Sequence, residues 1–467
     1  MATKHPNSPA TPPARANVTH HPGELNALAE MAIEDLYEAD PQIADLLLEE
    51  HRYQSHTLNL LAASSPADPS TAIAGGISFP AVTAEGYPGR RFHSGAMNVD
   101  ALEDLAVTRA KRLFTARHAN VQPHSGSSAN LAVAFSVLNP GDTILGLHLD
   151  SGGHLTHGAR ASITGKYFRT AHYGLDASGK IDLEQVRTKA LQYRPRLIIC
   201  GASAYPRRID FAAFREIADE VGALLLADIS HIAGLVVAGE HPSPIDIADF
   251  TTTSTYKQLR GPRGGLILLG ERDTDAAVPP GDAGLTWPQS IDKSVFPGTQ
   301  GTPSFANIAA KCVAFEKARR PSFSSWVRKV VHDANLLAAH FSAAGLGLLT
   351  YGTDTHLLVV DLRDNLSISG YLAEKALERC GFLANRNRVP NDHRSAYVAS
   401  GLRIGTNHLA ARELSDNDVL ICAETIVRIL FNTRAISDTT YELDCAISDE
   451  AAAIISSICA RNPLRTL

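Results

Sequence analysis

No apolar run in this sequence reaches the roughly eighteen residues that a membrane span needs. The longest, around Arg196–Cys200 and Ala223–Ala227, are strand-sized. Nor is there a basic excess: 43 Lys and Arg against 49 Asp and Glu leave a net charge of −6, which argues against a dedicated nucleic-acid binder. The six cysteines, Cys200, Cys312, Cys380, Cys422, Cys445 and Cys459, form no CxxC pair. They read as buried thiols of a reducing compartment, not as a disulfide framework or zinc site. HExxH is missing as well, and His154 and His157 have no further ligands at short spacing, so no metal is expected. The segment from Met1 to His21 is rich in Pro, Ala, Ser and Thr without an apolar core. That excludes a secretory signal and predicts a disordered leader over 1–22, in a soluble protein of the cytoplasm.

What remains is a chain of 467 residues, 44% hydrophobic and 20% charged, enough for two or three domains. Apolar residues spaced by three and four predict helix from Glu24 to Arg52. A Gly/Pro/Ser-rich segment, Ser64 to Gly95, then interrupts regular structure. Beyond it, helical runs (Asp100–Phe114, Leu183–Gln192, Phe211–Val221) alternate with β-like runs (Thr143–Leu147, Arg196–Cys200, Ala223–Ala227, Gly265–Leu269). Such alternation predicts an α/β fold with a mostly parallel sheet covered on both faces, whose ligands sit at the carboxyl ends of strands. From Ala306 to about Phe341 one or two long helices lead to a smaller α/β unit containing Leu357–Asp361, Arg403–Gly405 and a helix over Asp416–Phe431.

Three features carry chemistry. Ser125-Gly126-Ser127 opens a helix, where free N–H groups and hydroxyls suit a phosphate, although an ordinary helix cap has the same look. Asp228 follows an apolar run and precedes His231, placed either to face a ligand or to cap the next helix. Lys257 ends the hydroxyl-rich run Thr251–Tyr256 and precedes Arg260-Gly261-Pro262-Arg263-Gly264-Gly265. Together, a phosphate site, a strand-end carboxylate and an enclosed lysine predict pyridoxal 5'-phosphate, with the carboxylate keeping the pyridine nitrogen protonated.

The segments EGYPG (Glu85–Gly89), HANVQPHSG (His118–Gly126), GGHLTHG (Gly152–Gly158), GASAYPR (Gly201–Arg207), LRGPRGG (Leu259–Gly265) and SGLRIGT (Ser400–Thr406) resemble serine hydroxymethyltransferase. The resemblance runs from about Leu58 to Val427. It implies the fold type I of pyridoxal-phosphate transferases, in a homodimer or tetramer with active sites shared between subunits. It further implies an N-terminal arm over 23–108 contributing to the dimer, a large cofactor domain over 109–315 and a small domain over 316–467. Carried over motif by motif, Lys257 is the Schiff-base lysine, Asp228 the partner of the pyridine nitrogen, and His154 stacks on the ring. Ser203 and His231 lie near its phenolic oxygen. Ser125, Gly126 and Ser127 hold the phosphate, and Gly301 and Thr302 also bind the cofactor. Arg403 clamps the substrate carboxylate beside Tyr256, and Glu85, entering from the neighbouring subunit, is the acid–base carboxylate. Leu149, Gly153 and Asn387 match positions that line the family's folate site.

The departures gather at the site. Phe92-His93 stands where the family has a tyrosine pair, Thr83 replaces a phosphate-binding tyrosine, and Tyr256 replaces a histidine. Gly301-Thr302 replaces a glycine pair, and Asn59–Ser65 replaces an ELIASEN-like segment. An imidazole titrates near neutrality where a phenol titrates near ten, which makes His93 a proton-transfer candidate beside Glu85. With the machinery for Cα–Cβ scission intact and its shell altered, the expected activity is a folate-independent L-threonine transaldolase, handing a glycine unit from threonine to a new aldehyde. The alternative is a tetrahydrofolate-dependent serine/glycine hydroxymethyltransferase. A third reading is a non-catalytic homologue that only binds the cofactor.

Overall fold

The apolar runs behave as fully buried strands, and a computed structural model places them in one sheet. It describes residues 22–77, 79–272, 284–363 and 365–464. The leader expected over 1–22 lies outside these residues except for Pro22, which opens a helix rather than ending a tail. Residues up to His51 and residues from Arg52 onward form two separate units.

The single helical stretch expected from Glu24 to Arg52 is broken in two, Pro22–Ala39 and Pro41–His56. Pro41 is the cause, because a residue preceding proline is pushed out of the helical region. Asp40, at the break, turns this to use by accepting a hydrogen bond from the Ile43 N–H at 3.2 Å.

In the second unit seven strands form one sheet: β1 (His118–Asn120), β2 (Thr143–Leu147), β3 (Arg169–Tyr173), β4 (Leu197–Gly201), β5 (Leu224–Asp228), β6 (Phe250–Ser254) and β7 (Gly265–Leu269). Their spatial order is β1-β7-β6-β5-β4-β2-β3. The run from β6 to β3 is parallel, and β7 is antiparallel to both β6 and β1. Every residue of β4, β6 and β7 is buried, as expected where helices cover both faces. Each fully buried Leu or Ile in them contributes about 1.5–3 kcal/mol of apolar burial.

Two local expectations change. Most of the hydroxyl-rich run Thr251–Tyr256, read as part of a pocket, lies in the central strand Phe250–Ser254, since β-branched threonines fit a pleated, buried surface. The interruption from Ser64 to Gly95 contains a helix, Pro69–Gly76, set up by Pro69 in its first turn and by Asp68, whose carboxylate accepts from Ser70 N–H at 3.0 Å.

A smaller antiparallel sheet pairs Leu357–Asp361 with Gly347–Leu348 on one side and Gly401–Gly405 on the other, and the latter with Asn385–Asn387. The long helix Pro321–Ala343 serves both sheets. Trp326, Val327 and Val330 pack into the core of the large sheet, while Leu337, Ala338 and Phe341 pack into that of the small one. Five cysteines are buried thiols as expected; Cys445 is exposed. No described helix is long and apolar enough to cross a membrane.

Candidate active site

Asp228 is the last residue of β5, at the carboxyl end of the parallel strands, and is buried. Three donors converge on its carboxylate: Asn130 Nδ2 at 2.8 Å and His157 Nε2 at 3.0 Å on Oδ2, and the Ser230 N–H at 3.0 Å on Oδ1. Burial alone would raise its pKa. The hydrogen bond and field of His157, with the hydrogen bond from Ser230, outweigh that and hold the group well below the usual carboxylate range. Asp228 is therefore a fixed negative charge in an apolar setting.

The network runs on to His154. Asn130 Nδ2 also donates to Thr156 Oγ1 at 2.9 Å, and Thr156 Oγ1 bonds His154 Nδ1 at 2.8 Å. Burial pulls the His154 pKa down to about 4, so its ring is neutral at physiological pH. The ligand atoms of His154, His157 and Asp228 lie within 4.8 Å of one another, and these hydrogen bonds account for them without an ion.

Lys257 follows β6 and is 7% exposed. Desolvation lowers its pKa from 10.5 to about 8; Asp228 pulls it up while Arg403 and Arg263 push it down. A usable fraction of neutral amine thus exists near neutral pH. The positive field of Lys257 and Arg403 acts on buried His231 after burial itself, keeping that ring neutral. Among the described residues His231 Nδ1 has no partner, and its ring stacks on His356 at 5.9 Å.

The helix Gly126–Val137 starts beside these groups. Ser125 is indeed its cap: Ser125 Oγ accepts from the Ser128 N–H at 3.0 Å, and Ser128 Oγ accepts from the Ser125 N–H at 2.8 Å. The cap leaves the N–H groups of Gly126 and Ser127 without a partner among the described residues. A Cβ on Gly126 would stand 3.1 Å from Ser254 Cβ and 3.3 Å from Ser230 Oγ, so the helix start abuts the turn that follows Asp228.

Arg403 projects from the strand Gly401–Gly405 of the small sheet. Its Nη1 donates to Ser203 O at 2.6 Å and its Nε to Asn385 Oδ1 at 3.1 Å. Burial lowers its pKa to about 10, still far above neutrality. With Tyr256, Arg263, Asn385, Ser64 and Ser65 it lines a cavity of ≈ 730 Å³ in which Ser65 Oγ has no partner. Ser203 sits within this group through its backbone, its N–H donating to Gly152 O at 2.7 Å.

A second cluster forms on the same chain. The hairpin Gly86–Tyr87/Arg90–Arg91 brings His93 Nδ1 within 3.2 Å of the Glu85 N–H, and Glu85 Oε1 lies 3.1 Å from where a Gly301 Cβ would be. Thr302 O meets His124 Nε2 at 3.2 Å. Among the described residues no hydrogen bond or ring contact joins Glu85 or His93 to Lys257, Asp228 or Arg403. Leu149, Gly153 and Asn387 lie on two segments tied by the ion pair Arg388 Nη1–Asp150 Oδ1 at 2.6 Å, and Asn387 Nδ2 is taken by Arg388 O.

A family profile described as serine hydroxymethyltransferase matches residues 36–426. The chain belongs to the serine hydroxymethyltransferase family. Curated relatives under that name include one from a Cyanothece strain, 45% identical over 92% of this chain and 96% of the relative. Another, from Coprothermobacter proteolyticus, is 46% identical over 87% and 94%, and one from Prochlorococcus marinus is 43% identical over 92% and 97%. The chain is thus a pyridoxal-phosphate-dependent transferase with the fold type I expected of it. Its residues fit that cofactor: a buried, ionised acid, a buried amine of lowered pKa, and a helix start whose Gly126 and Ser127 amides have no partner among the described residues.

Asn130 and His157 escape a reading of the sequence for roles. His157 was visible only as the second histidine of GGHLTHG, and Asn130 lies one helical turn beyond Gly126, on the side that faces Asp228.

Proposed function

We propose that this enzyme moves a one-carbon unit between serine and glycine with a tetrahydrofolate carrier. The observation that carries this reading is the shared name of relatives 43–46% identical over nearly the whole chain. Those names favour it over the threonine transaldolase expected from the altered shell. A complete set of Lys257, Asp228, His154 and Arg403 supports a working enzyme rather than a silent binder.

When bound, the cofactor supplies an electron sink conjugated to the substrate α-carbon. Around it, Arg403 offers the substrate carboxylate the N–H groups not committed to Ser203 and Asn385. Lys257, partly neutral, would supply the amine that carries the cofactor. Ionised Asp228, held by three donors, would keep a ring nitrogen protonated. His154 would offer the ring an uncharged face. Glu85 and His93 handle the proton of the β-hydroxyl oxygen. His93 Nδ1 accepts from the Glu85 N–H, so the neutral ring carries its hydrogen on Nε2. That makes His93 Nε2 a donor and leaves the Glu85 carboxylate as the base. That no hydrogen bond or ring contact among the described residues joins them to Lys257 on one chain supports a dimer in which each subunit lends this hairpin to its partner's site.

A second reading, the transaldolase, is favoured by one observation: His93, an imidazole bonded to the Glu85 backbone, replaces a phenol at the β-carbon end. The test incubates the enzyme with serine plus tetrahydrofolate and, separately, with threonine with and without a second aldehyde. Glycine formed from serine only when folate is present supports the first reading. Acetaldehyde released from threonine and accelerated by an acceptor aldehyde, with serine inert, refutes it in favour of the second.

A further inference from the structure

Lys311 is a cation in the middle of the helix Phe305–Ala318, 1% exposed, and it makes no ion pair with any described carboxylate. Its ammonium donates instead to three backbone carbonyls: Val121 at 2.7 Å, Gly265 at 2.9 Å and Pro123 at 3.1 Å. An ammonium has three N–H donors and a neutral amine two, so the tripod is complete only in the charged form. Burial pushes its pKa down to about 7, opposed by the Glu103 carboxylate; the three carbonyls hold the proton where a counter-ion is missing.

The carbonyls belong to two segments that meet at the cofactor's anchor. Val121 and Pro123 lead into the cap Ser125, and Gly265 opens β7 with its N–H on Pro123 O at 2.9 Å. A Cβ on Gly265 would stand 2.1 Å from Ser125 O, and one on Gly264 would stand 2.2 Å from Lys311 Cε. Gly264 thus makes room for the lysine, and Gly265 lets the start of β7 close on the cap residue Ser125. Gly264 O in turn accepts from the Thr255 N–H at 3.0 Å, two residues before Lys257.

We propose that Lys311 is a positioning residue for the cofactor phosphate: it ties the Ser125–Ser127 turn to the Lys257 segment and sets a carbonyl-held ammonium, without an ion pair among the described residues, behind the anion's seat. The charge acts across a low-dielectric interior, where it is weakly screened. It favours a phosphate dianion, the one group that pyridoxal lacks.

The test titrates apo-protein with pyridoxal phosphate and with pyridoxal, which lacks the phosphate, following absorbance, for wild type, K311M and K311Q. K311Q retains a polar amide with two N–H donors and covers the case in which K311M does not fold. The expected result is pyridoxal-phosphate affinity weaker by about tenfold or more in either variant, pyridoxal affinity within about twofold, and a smaller gap in Tm between holo- and apo-protein. Equal losses for both ligands, or wild-type affinity for pyridoxal phosphate, overturn the proposal. A wild type that binds no pyridoxal phosphate refutes the cofactor assignment itself, which separates the two failures.

Discussion

Replacing Arg403 by lysine tests the substrate site most sharply, because it keeps the charge and removes the fork. Two of the five guanidinium N–H donors are engaged, by Ser203 O at 2.6 Å and Asn385 Oδ1 at 3.1 Å, leaving an in-plane pair for a carboxylate. Lysine can meet Ser203 O and one carboxylate oxygen but not both oxygens and Asn385. One charge-assisted hydrogen bond is worth about 1.5–3 kcal/mol, and each ~1.4 kcal/mol is tenfold. KM for serine and the dissociation constant of glycine should therefore rise about 10- to 100-fold, with kcat changed only a few-fold. Spectroscopic titration of the holoenzyme with glycine measures this directly. The absorbance of the unliganded holoenzyme should not move, since the positive charge acting on Lys257 is retained. A glycine affinity unchanged in R403K would remove Arg403 from carboxylate binding.

Burial lowers the Lys257 pKa from 10.5 to about 8. Across that window the unfolded chain holds a proton that the folded chain has released, so apo-protein stability should rise with pH and fall back as pH drops to about 8. In K257M that rise should shrink, by urea unfolding at a series of pH values; an identical slope refutes the lowered pKa. Purified wild type should be yellow and K257A should lose the corresponding absorbance; a colourless wild type would end the cofactor assignment. G126A places a methyl 3.1 Å from Ser254 Cβ; overpacking there costs about 1–3 kcal/mol, seen as weaker cofactor binding at nearly wild-type secondary structure by circular dichroism. If subunits share sites, mixing inactive K257A with inactive E85Q and allowing exchange should restore up to about a quarter of the activity; no recovery in exchanged dimers argues against the lent hairpin.

The charged and conformationally special residues of the site were legible because their chemistry needs a fixed local context. Lys257 after a hydroxyl run, Asp228 at a strand end and the Ser125 cap each left a short-range mark. Asn130 and His157 did not, since their role exists only once the helix after Ser125 and the turn after Gly153 close on Asp228, 98 and 71 residues away. Lys311 was hidden for the same reason: in AAKCVAF it looks like a solvated helix charge until three carbonyls from distant segments surround it. The parallel sheet followed from alternating runs, whereas β6 was masked because threonine signals pocket and strand equally well. Which way the reaction runs was not legible either, since Phe92-His93 altered the shell without altering the core of the site.

The lone accessible thiol, at Cys445 where the last helix begins, is a built-in handle. A maleimide dye added to native enzyme should label one position per chain, far in sequence from every residue assigned chemistry above, while the other five thiols stay unreactive until the protein opens. Counting labels over time then turns an unmodified protein into its own unfolding sensor, with no engineered cysteine required.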